Sequence, residues 1–151
     1  MDNMAILGCG NMATAITQHF TNDDIALNLY TYTPSQTKAK VLANAIQAQH
    51  ITDLSDLPPC KYYLIGCKPQ QFKALAESLM PQLQGDAIII SLMAGVNSSS
   101  IIQLLNTPNV VRLMPNLAAA IQLSVNLFYF SQSISQKEKS AISDIFKTSG
   151  K

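Results

Sequence analysis

The sequence predicts an α/β protein with a doubly wound, mainly parallel sheet and helices on both faces. Three observations carry that prediction. Short apolar segments alternate with longer amphipathic ones along the chain, the pattern of strands joined by crossover helices. Ala87-Ile88-Ile89-Ile90-Ser91 is a nearly continuous apolar run, as a strand covered on both faces requires. Near the start, a short apolar run leads into Gly8-Cys9-Gly10-Asn11-Met12-Ala13, a Gly-x-Gly-x-x-Ala turn that opens a helical pattern.

In chain order, residues 3–8 read as the first strand and Gly10 to about Phe20 as a helix, with Met12, Ala13, Ile16 and Phe20 on its apolar face. Residues 25–32 alternate apolar and polar, which suits a second strand. Pro34 stands where a helix could begin, followed by an alanine-rich run to about Gln49. His50-Ile51-Thr52 is a short third strand, and Asp53 to Leu57 one helical turn that Pro58-Pro59 ends. Tyr62-Tyr63-Leu64-Ile65 is a buried strand. Pro69 opens a helix to about Leu83, and residues 87–91 form the next strand. Asn97 or a neighbouring serine caps a helix through Leu105, and residues 110–113 and 125–130 are two further strands. Ser135-Gln136-Lys137-Glu138 is a capping box before a last helix ending near Gly150.

The 151 residues suit one domain, 1–151, with a sizeable core and no repeat or internal linker. Charged residues make up only 13% against a typical value of roughly a quarter, so part of the surface is expected to be covered by more chain or by a partner. The net charge of +1 and scattered Lys and Arg give no footprint for nucleic acid or membrane. No apolar stretch is long enough to span a bilayer, and no basic segment precedes the first apolar run, so a cytoplasmic protein without a secretory leader is expected. Cys9, Cys60 and Cys67 form no Cys-x-x-Cys pair, and His19 and His50 lie far apart. No metal site is expected, and the thiols read as free.

A doubly wound sheet of this Rossmann type binds ligands outside the carboxyl ends of its strands. The residues to question are therefore Gly8–Ala13, Thr31–Ser35, Cys67-Lys68-Pro69, Ser91–Gly95 and Met114-Pro115-Asn116. Gly8 would allow the tight turn, Gly10 would let the backbone approach a pyrophosphate, and Ala13 would let the helix pack close to the strand. Free N–H groups at the helix start would face the phosphates. After the second strand, an NAD-preferring site usually offers a carboxylate to the ribose 2′-hydroxyl. Thr31-Tyr32-Thr33-Pro34-Ser35 contains none, and Thr33, Ser35 and Lys38 could donate to a 2′-phosphate, which favours NADP(H) over NAD(H). The competing reading is that these hydroxyls cap the helix opening at Pro34. Lys68 is a surface charge or a cleft cation, and the small residues Ala94 and Gly95 mark either a plain turn or a close approach to ligand. Asn116 offers an amide that could hold a nicotinamide carboxamide or substrate, or satisfy its own turn.

These places, in this order and at these intervals, resemble the N-terminal domain of pyrroline-5-carboxylate reductase. That family shows Gly-x-Gly-Asn-Met-Ala, Ala-Val-Lys-Pro, Ser-x-x-Ala-Gly and Val-Arg-x-Met-Pro-Asn. Here the matching segments are Gly8–Ala13, Gly66-Cys67-Lys68-Pro69, Ser91-Leu92-Met93-Ala94-Gly95 and Val111-Arg112-Leu113-Met114-Pro115-Asn116. The resemblance implies hydride transfer from NADPH or NADH to the imine carbon of Δ1-pyrroline-5-carboxylate, a small-molecule substrate, giving proline. It implies that Gly8, Gly10, Asn11, Met12 and Ala13 hold the pyrophosphate, and Thr31 to Ser35 the adenine ribose. Cys67, Lys68 and Pro69 would line the path to the nicotinamide, with Ala94, Gly95 and Asn116 near the reactive end. The demand is mostly positioning, with donor and acceptor carbons at about 3–3.5 Å in a site closed to water. No catalytic residue is assigned.

The sequence departs from the family at several points. Tyr32 stands where an Arg is common, Gly66-Cys67 replaces Ala-Val in what reads as a tolerable change of packing, and Leu117-Ala118 replaces Thr-Pro after Asn116. Family members are homo-oligomeric through a helical second domain that also binds substrate. The sequence ends at Lys151, where that domain would begin. The expectation is weak to moderate cofactor binding with little or no turnover by residues 1–151 alone, as a monomer or associating through exposed apolar surface. Two other readings stand beside this one: a non-catalytic NAD(P)-binding module, and a relative of the 3-hydroxyacid dehydrogenases, which usually open with Gly-Leu-Gly-x-Met-Gly.

Overall fold

A computed structural model describes residues 1–20, 25–114 and 127–149. Among the described residues, seven strands form one sheet: β1 (Asp2–Leu7), β2 (Leu27–Tyr32), β3 (Gln49–His50), β4 (Tyr62–Ile65), β5 (Ile88–Ser91), β6 (Val110–Met114) and β7 (Leu127–Phe130). Helices in the described residues connect or follow them: α1 (Asn11–Thr17), α2 (Thr37–Ile46), α3 (Pro69–Leu79), α4 (Ser98–Leu105) and α5 (Gln136–Ile145). The strand order is β3-β2-β1-β4-β5-β6-β7, and every pairing is parallel except β6 with β7. This is the doubly wound, mainly parallel sheet that the alternating pattern predicts.

The central strands are buried on both faces, and β1 shows how. Met4, Ile6 and their neighbours Leu64 and Ile90 meet α1, α2 and α5 through Ile16, Leu42 and Ile142. Ala5, Leu7, Tyr63 and Ile89 face the other way, onto Phe72, Leu79, Ile101 and Leu105 of α3 and α4. Removing each such aliphatic side chain from water contributes about 1.5–3 kcal/mol. Because side chains alternate along a strand, a continuous apolar run is the sequence of a strand with helices on both sides. The segment after α5 closes the first layer, with the Phe146 ring 5.9 Å from Phe20 and 6.3 Å from Phe128.

Element ends differ from the sequence expectation in several places. The second helix begins at Thr37, not at Pro34, because residues 34–36 turn first: the Gln36 N–H reaches the Thr33 carbonyl at 3.1 Å. The third strand is Gln49–His50, two residues earlier than the expected end at Thr52. Asp53 caps a short 3₁₀ turn over Leu54–Asp56, its carboxylate accepting the Ser55 N–H at 2.9 Å. The helix expected to run from Pro69 to Leu83 gives way to a 3₁₀ turn at Met80–Gln82, where Pro81 cannot donate to the ladder. The caps at Asn97 and Ser135 form as expected, accepting the N–H groups of Ser100 and Glu138. The last helix passes into a 3₁₀ turn over Phe146–Ser149, and its expected end at Gly150 lies outside the described residues, as do residues 125 and 126 of the expected last strand.

Among the described residues, no helix is long and apolar enough to cross a membrane. The edge formed by β6 and β7 exposes Met114, Leu127 and Tyr129, the last 56% open, consistent with the low charge content.

Candidate functional site

From β1 the chain winds outward to β2 and β3, then returns to β4 on the other side of β1. That reversal opens a crevice at the carboxyl ends of β1 and β4, where ligands of such sheets bind. A cleft of about 970 Å³ lies there.

Two glycines build its floor. Gly8 has φ +91°, and its N–H donates to the Tyr32 carbonyl at 2.9 Å, tying the turn to β2. A Cβ on Gly8 would lie 2.4 Å from the Cys67 nitrogen, so both conformation and space demand glycine. Gly66, just after β4, is equally constrained: its Cβ would lie 2.5 Å from the Gly8 oxygen and 2.7 Å from the Ala13 Cβ. The replacement of the family's Ala at this position is therefore more than a tolerable packing change, because the two strand ends and α1 meet there without room for a methyl group. Gly10 differs from both. Its φ of −74° suits any residue, and a Cβ there would meet only the Gly66 oxygen, at 3.8 Å. Among the described residues, nothing requires glycine at 10, so a side chain there would meet open space at the mouth of the cleft. Gly10 is also the N-cap of α1 and supplies no side-chain cap to the helix start.

The wall beyond β2 carries Tyr32, Thr33, Ser35 and Lys38. Thr33 is buried, yet its hydroxyl has no hydrogen-bond partner among the described residues. A buried hydroxyl without a partner costs about 1–3 kcal/mol, and this one lines the cleft. Neither Thr33 nor Ser35 caps α2, whose N-cap is Gln36 and has no side-chain cap bond. The capping alternative thus fails, because the helix starts too late for either hydroxyl to reach its first N–H groups. Thr31 is a correction to the expected set. It is fully buried inside β2, and its hydroxyl donates to the Ala39 carbonyl at 2.7 Å, serving strand–helix packing and not the cleft.

The opposite wall comes from β4 and α3. Cys67 and Lys68 line the cleft, while Pro69 starts α3 outside it. The Gln71 side chain accepts the Lys68 N–H, and the Gln71 N–H reaches the Lys68 carbonyl at 2.9 Å. The Cys67 sulfur lies 4.0 Å from the Met93 sulfur. Burial pushes the thiols of Cys9 and Cys67 up to about 11, so both are neutral near pH 7 and poor nucleophiles.

Other expected residues are not brought into the cleft. Ala13 is buried in the α1 packing, and Met12 sits half-buried on α1. Asn11 lines a separate hollow of about 460 Å³ between α1 and α2, shared with Cys9 and Lys38. Ala94 and Gly95 lie exposed in the turn after β5, with Gly95 at φ +76°, outside the cleft wall. Asn116 lies outside the described residues. Among the described residues, no group of three His, Cys, Asp or Glu side chains could hold a metal ion.

Besides the cleft-facing side of α3 (Gln70, Gln71, Ala74, Leu75 and Ser78) and Gln82, sequence reasoning missed two further parts of the site. One is Gly66, a glycine at the end of the neighbouring strand. The other is Asp53 with Leu54 and Ser55, which complete the cleft beyond Ser35. Asp53 follows the third strand, so questioning the residues after that strand as well would have found it.

The comparisons with known proteins agree with this architecture. Residues 3–95 match the family described as NADP oxidoreductase coenzyme F420-dependent. The chain is 34% identical over 152 aligned positions to pyrroline-5-carboxylate reductase of Staphylococcus aureus (strain COL), covering 97% of this chain and 56% of that protein. It therefore spans little more than half the length of the curated relatives it matches. The fold resembles that of 1-pyrroline-5-carboxylate reductase from Streptococcus pyogenes, with a TM-score of 0.82 and 24% identity, over 99% of this chain and 56% of the other. It also resembles a Plasmodium falciparum pyrroline carboxylate reductase solved with NADP bound, with a TM-score of 0.81 and 19% identity, over 99% of this chain and 55% of that one. The chain thus belongs to the family described as NADP oxidoreductase coenzyme F420-dependent, in a form similar along nearly all of its length to part of pyrroline-5-carboxylate reductase.

Proposed function

We propose that residues 1–151 are the dinucleotide-binding domain of an oxidoreductase that reduces 1-pyrroline-5-carboxylate to L-proline, with NADP(H) favoured over NAD(H). The observation that carries the cofactor half is the contrast between two glycines. Gly8 is demanded by the fold, whereas Gly10 is not and stands where only a ligand would need the space. The substrate half follows from the similarity to pyrroline-5-carboxylate reductases.

Gly8, Gly10 and the start of α1, with Asn11, Met12 and Ala13, would cradle the pyrophosphate. Thr33, Ser35 and Lys38 would hold the 2′-phosphate, and the partnerless Thr33 hydroxyl is a donor ready for it. Tyr32 would face the adenosine half, while Cys67, Lys68 and Pro69 would border the path toward the nicotinamide, with Ala94, Gly95 and Asn116 beyond it. Bound NAD(P)H supplies the hydride for the imine carbon. The residues of this chain bind and orient, and none is assigned a proton-transfer role.

Calorimetric titration with NADPH and, separately, NADH tests the reading. Tighter NADPH binding is expected, and Lys38→Ala should weaken NADPH by about three- to tenfold while leaving NADH within about twofold. Equal or tighter NADH binding would refute the phosphate assignment, and binding of neither would refute the cofactor site itself.

A further inference from the structure

The carboxylate absent from the end of β2 is supplied from elsewhere in the fold. Strand β3 lies parallel to β2, with Thr31 opposite His50, so the residues following each strand emerge side by side. The Ile51 N–H continues the ladder to the Thr31 carbonyl at 2.8 Å. The Gln36 side-chain amide then donates to the Thr52 carbonyl at 3.0 Å, joining the turn after β2 to the segment after β3. Gln36 holds φ +69° and ψ −38°, with the Thr37 N–H bonded to the Ser35 carbonyl at 2.8 Å. That is a classic γ-turn, a strained conformation for a residue with a side chain. Strain of this kind persists only where surrounding bonds over-determine it, and the bond to Thr52 is one of them.

The consequence is that Asp53, the next residue, lines the cleft together with Thr33, Ser35 and Lys38. Its side chain is oriented by accepting both the N–H and the hydroxyl of Ser55, at 2.9 and 2.8 Å. These same bonds hold its carboxyl below the usual carboxylate range, so it is ionised at neutral pH. Among the described residues, the cleft end that would receive a 2′-phosphate therefore carries the cation Lys38 and the anion Asp53.

Resting on the dinucleotide reading above, we propose that Asp53 is a specificity-determining residue that limits discrimination between NADP(H) and NAD(H). Its negative charge opposes a 2′-phosphate, while its free acceptor capacity suits an unphosphorylated ribose diol. The protein thus makes with β3 the arrangement that many such sheets make at the end of β2. Gln36 acts as a positioning residue that holds the two loops together.

The test is calorimetric titration of the 151-residue chain and of Asp53→Asn with NADPH and NADH at low and high salt. Asn keeps an acceptor for the Ser55 N–H and removes only the charge, so the cap and the fold are retained. The ratio of the NADH to the NADPH dissociation constant should rise about three- to tenfold in Asp53→Asn, mainly through tighter NADPH binding, and the gain should shrink at high salt. Asp56→Asn removes a charge from the same 3₁₀ turn outside the cleft wall and should leave the ratio within about twofold of the parent. An unchanged ratio in Asp53→Asn, or an equal shift in Asp56→Asn, overturns the proposal while leaving the cofactor site standing. Failure of the parent chain to bind either dinucleotide overturns both.

Discussion

Substituting alanine for the two glycines of the Gly-x-Gly turn should separate the demands of the fold from those of the ligand. At Gly8, with φ +91°, an alanine in the left-handed region costs about 1–2 kcal/mol. Its methyl group would also sit 2.4 Å from the Cys67 nitrogen and 2.7 Å from the Gly66 carbonyl carbon, both backbone atoms that cannot swing aside. Overpacking of this kind adds about 1–3 kcal/mol, for roughly 2–5 kcal/mol in total. A chain of this size loses about 2–4 °C of Tm per kcal/mol, so Gly8→Ala should unfold roughly 4–20 °C below the parent. At Gly10, φ is −74° and the nearest atom to a new Cβ is 3.8 Å away. Reduced freedom of the unfolded chain contributes about 0.4–1 kcal/mol, offset by the poorer N-cap that alanine makes. The net change should lie within about 0.5 kcal/mol, or about 2 °C. Thermal unfolding followed by circular dichroism, with and without NADPH, reads both effects. At a concentration of about 100 times Kd, NADPH stabilises the parent by about 2.7 kcal/mol. Gly10→Ala should lose at least half of that, since a tenfold weaker Kd removes about 1.4 kcal/mol. If Gly10→Ala retained the full ligand-induced shift, or unfolded as early as Gly8→Ala, the division of labour between the two glycines would be refuted.

Thr31 in β2 and Thr33 just beyond its end make a second contrast. Thr33→Val should leave the ligand-free fold unchanged or up to about 1–2 kcal/mol more stable, because it removes a buried partnerless hydroxyl, while weakening NADPH binding. Thr31→Val should do the reverse, losing about 0.5–1.5 kcal/mol with its bond to Ala39 and leaving binding alone. Denaturant unfolding and titration together check both. Burial raises the thiols of Cys9, Cys67 and Cys60 to about 11, 11 and 12. Above the ordinary thiol pKa the unfolded chain releases these protons first, so the folded state binds more of them. Stability should accordingly fall as pH rises from about 9 toward 11, and should not depend on these groups below pH 8. Urea unfolding midpoints across that range, compared with a variant in which Cys9 and Cys60 are alanine, measure the slope. Finally, Ser135→Ala should cost about 1 kcal/mol through loss of the cap on the Glu138 N–H, seen as a drop in the unfolding midpoint.

Much of this protein was legible in its sequence because the physics involved is local. The alternation of apolar runs with amphipathic ones reports periodicity, and periodicity reports which faces are covered, so the sheet and its helices could be read directly. The caps at Asn97 and Ser135 were legible because a side chain there bonds an N–H three residues away. The Gly8 turn was legible because only glycine takes a positive φ without strain. What lay beyond reach were the particular contacts between residues distant in sequence. The need for glycine at 66 comes from Gly8 and Ala13, more than fifty positions away. The different fates of Thr31 and Thr33, inside and just past the end of β2, follow from what covers each: α2 accepts from Thr31, and Thr33 faces the cleft with no partner among the described residues. The carboxylate in the cleft wall comes from Asp53, which parallel pairing of β3 with β2 and one hydrogen bond from the Gln36 side-chain amide help to place in the same cleft as Ser35. Composition and periodicity act along the chain and so determine elements and fold class. The cleft is made where strand ends from separate parts of the chain meet, and only the folded structure decides which side chains stand across it.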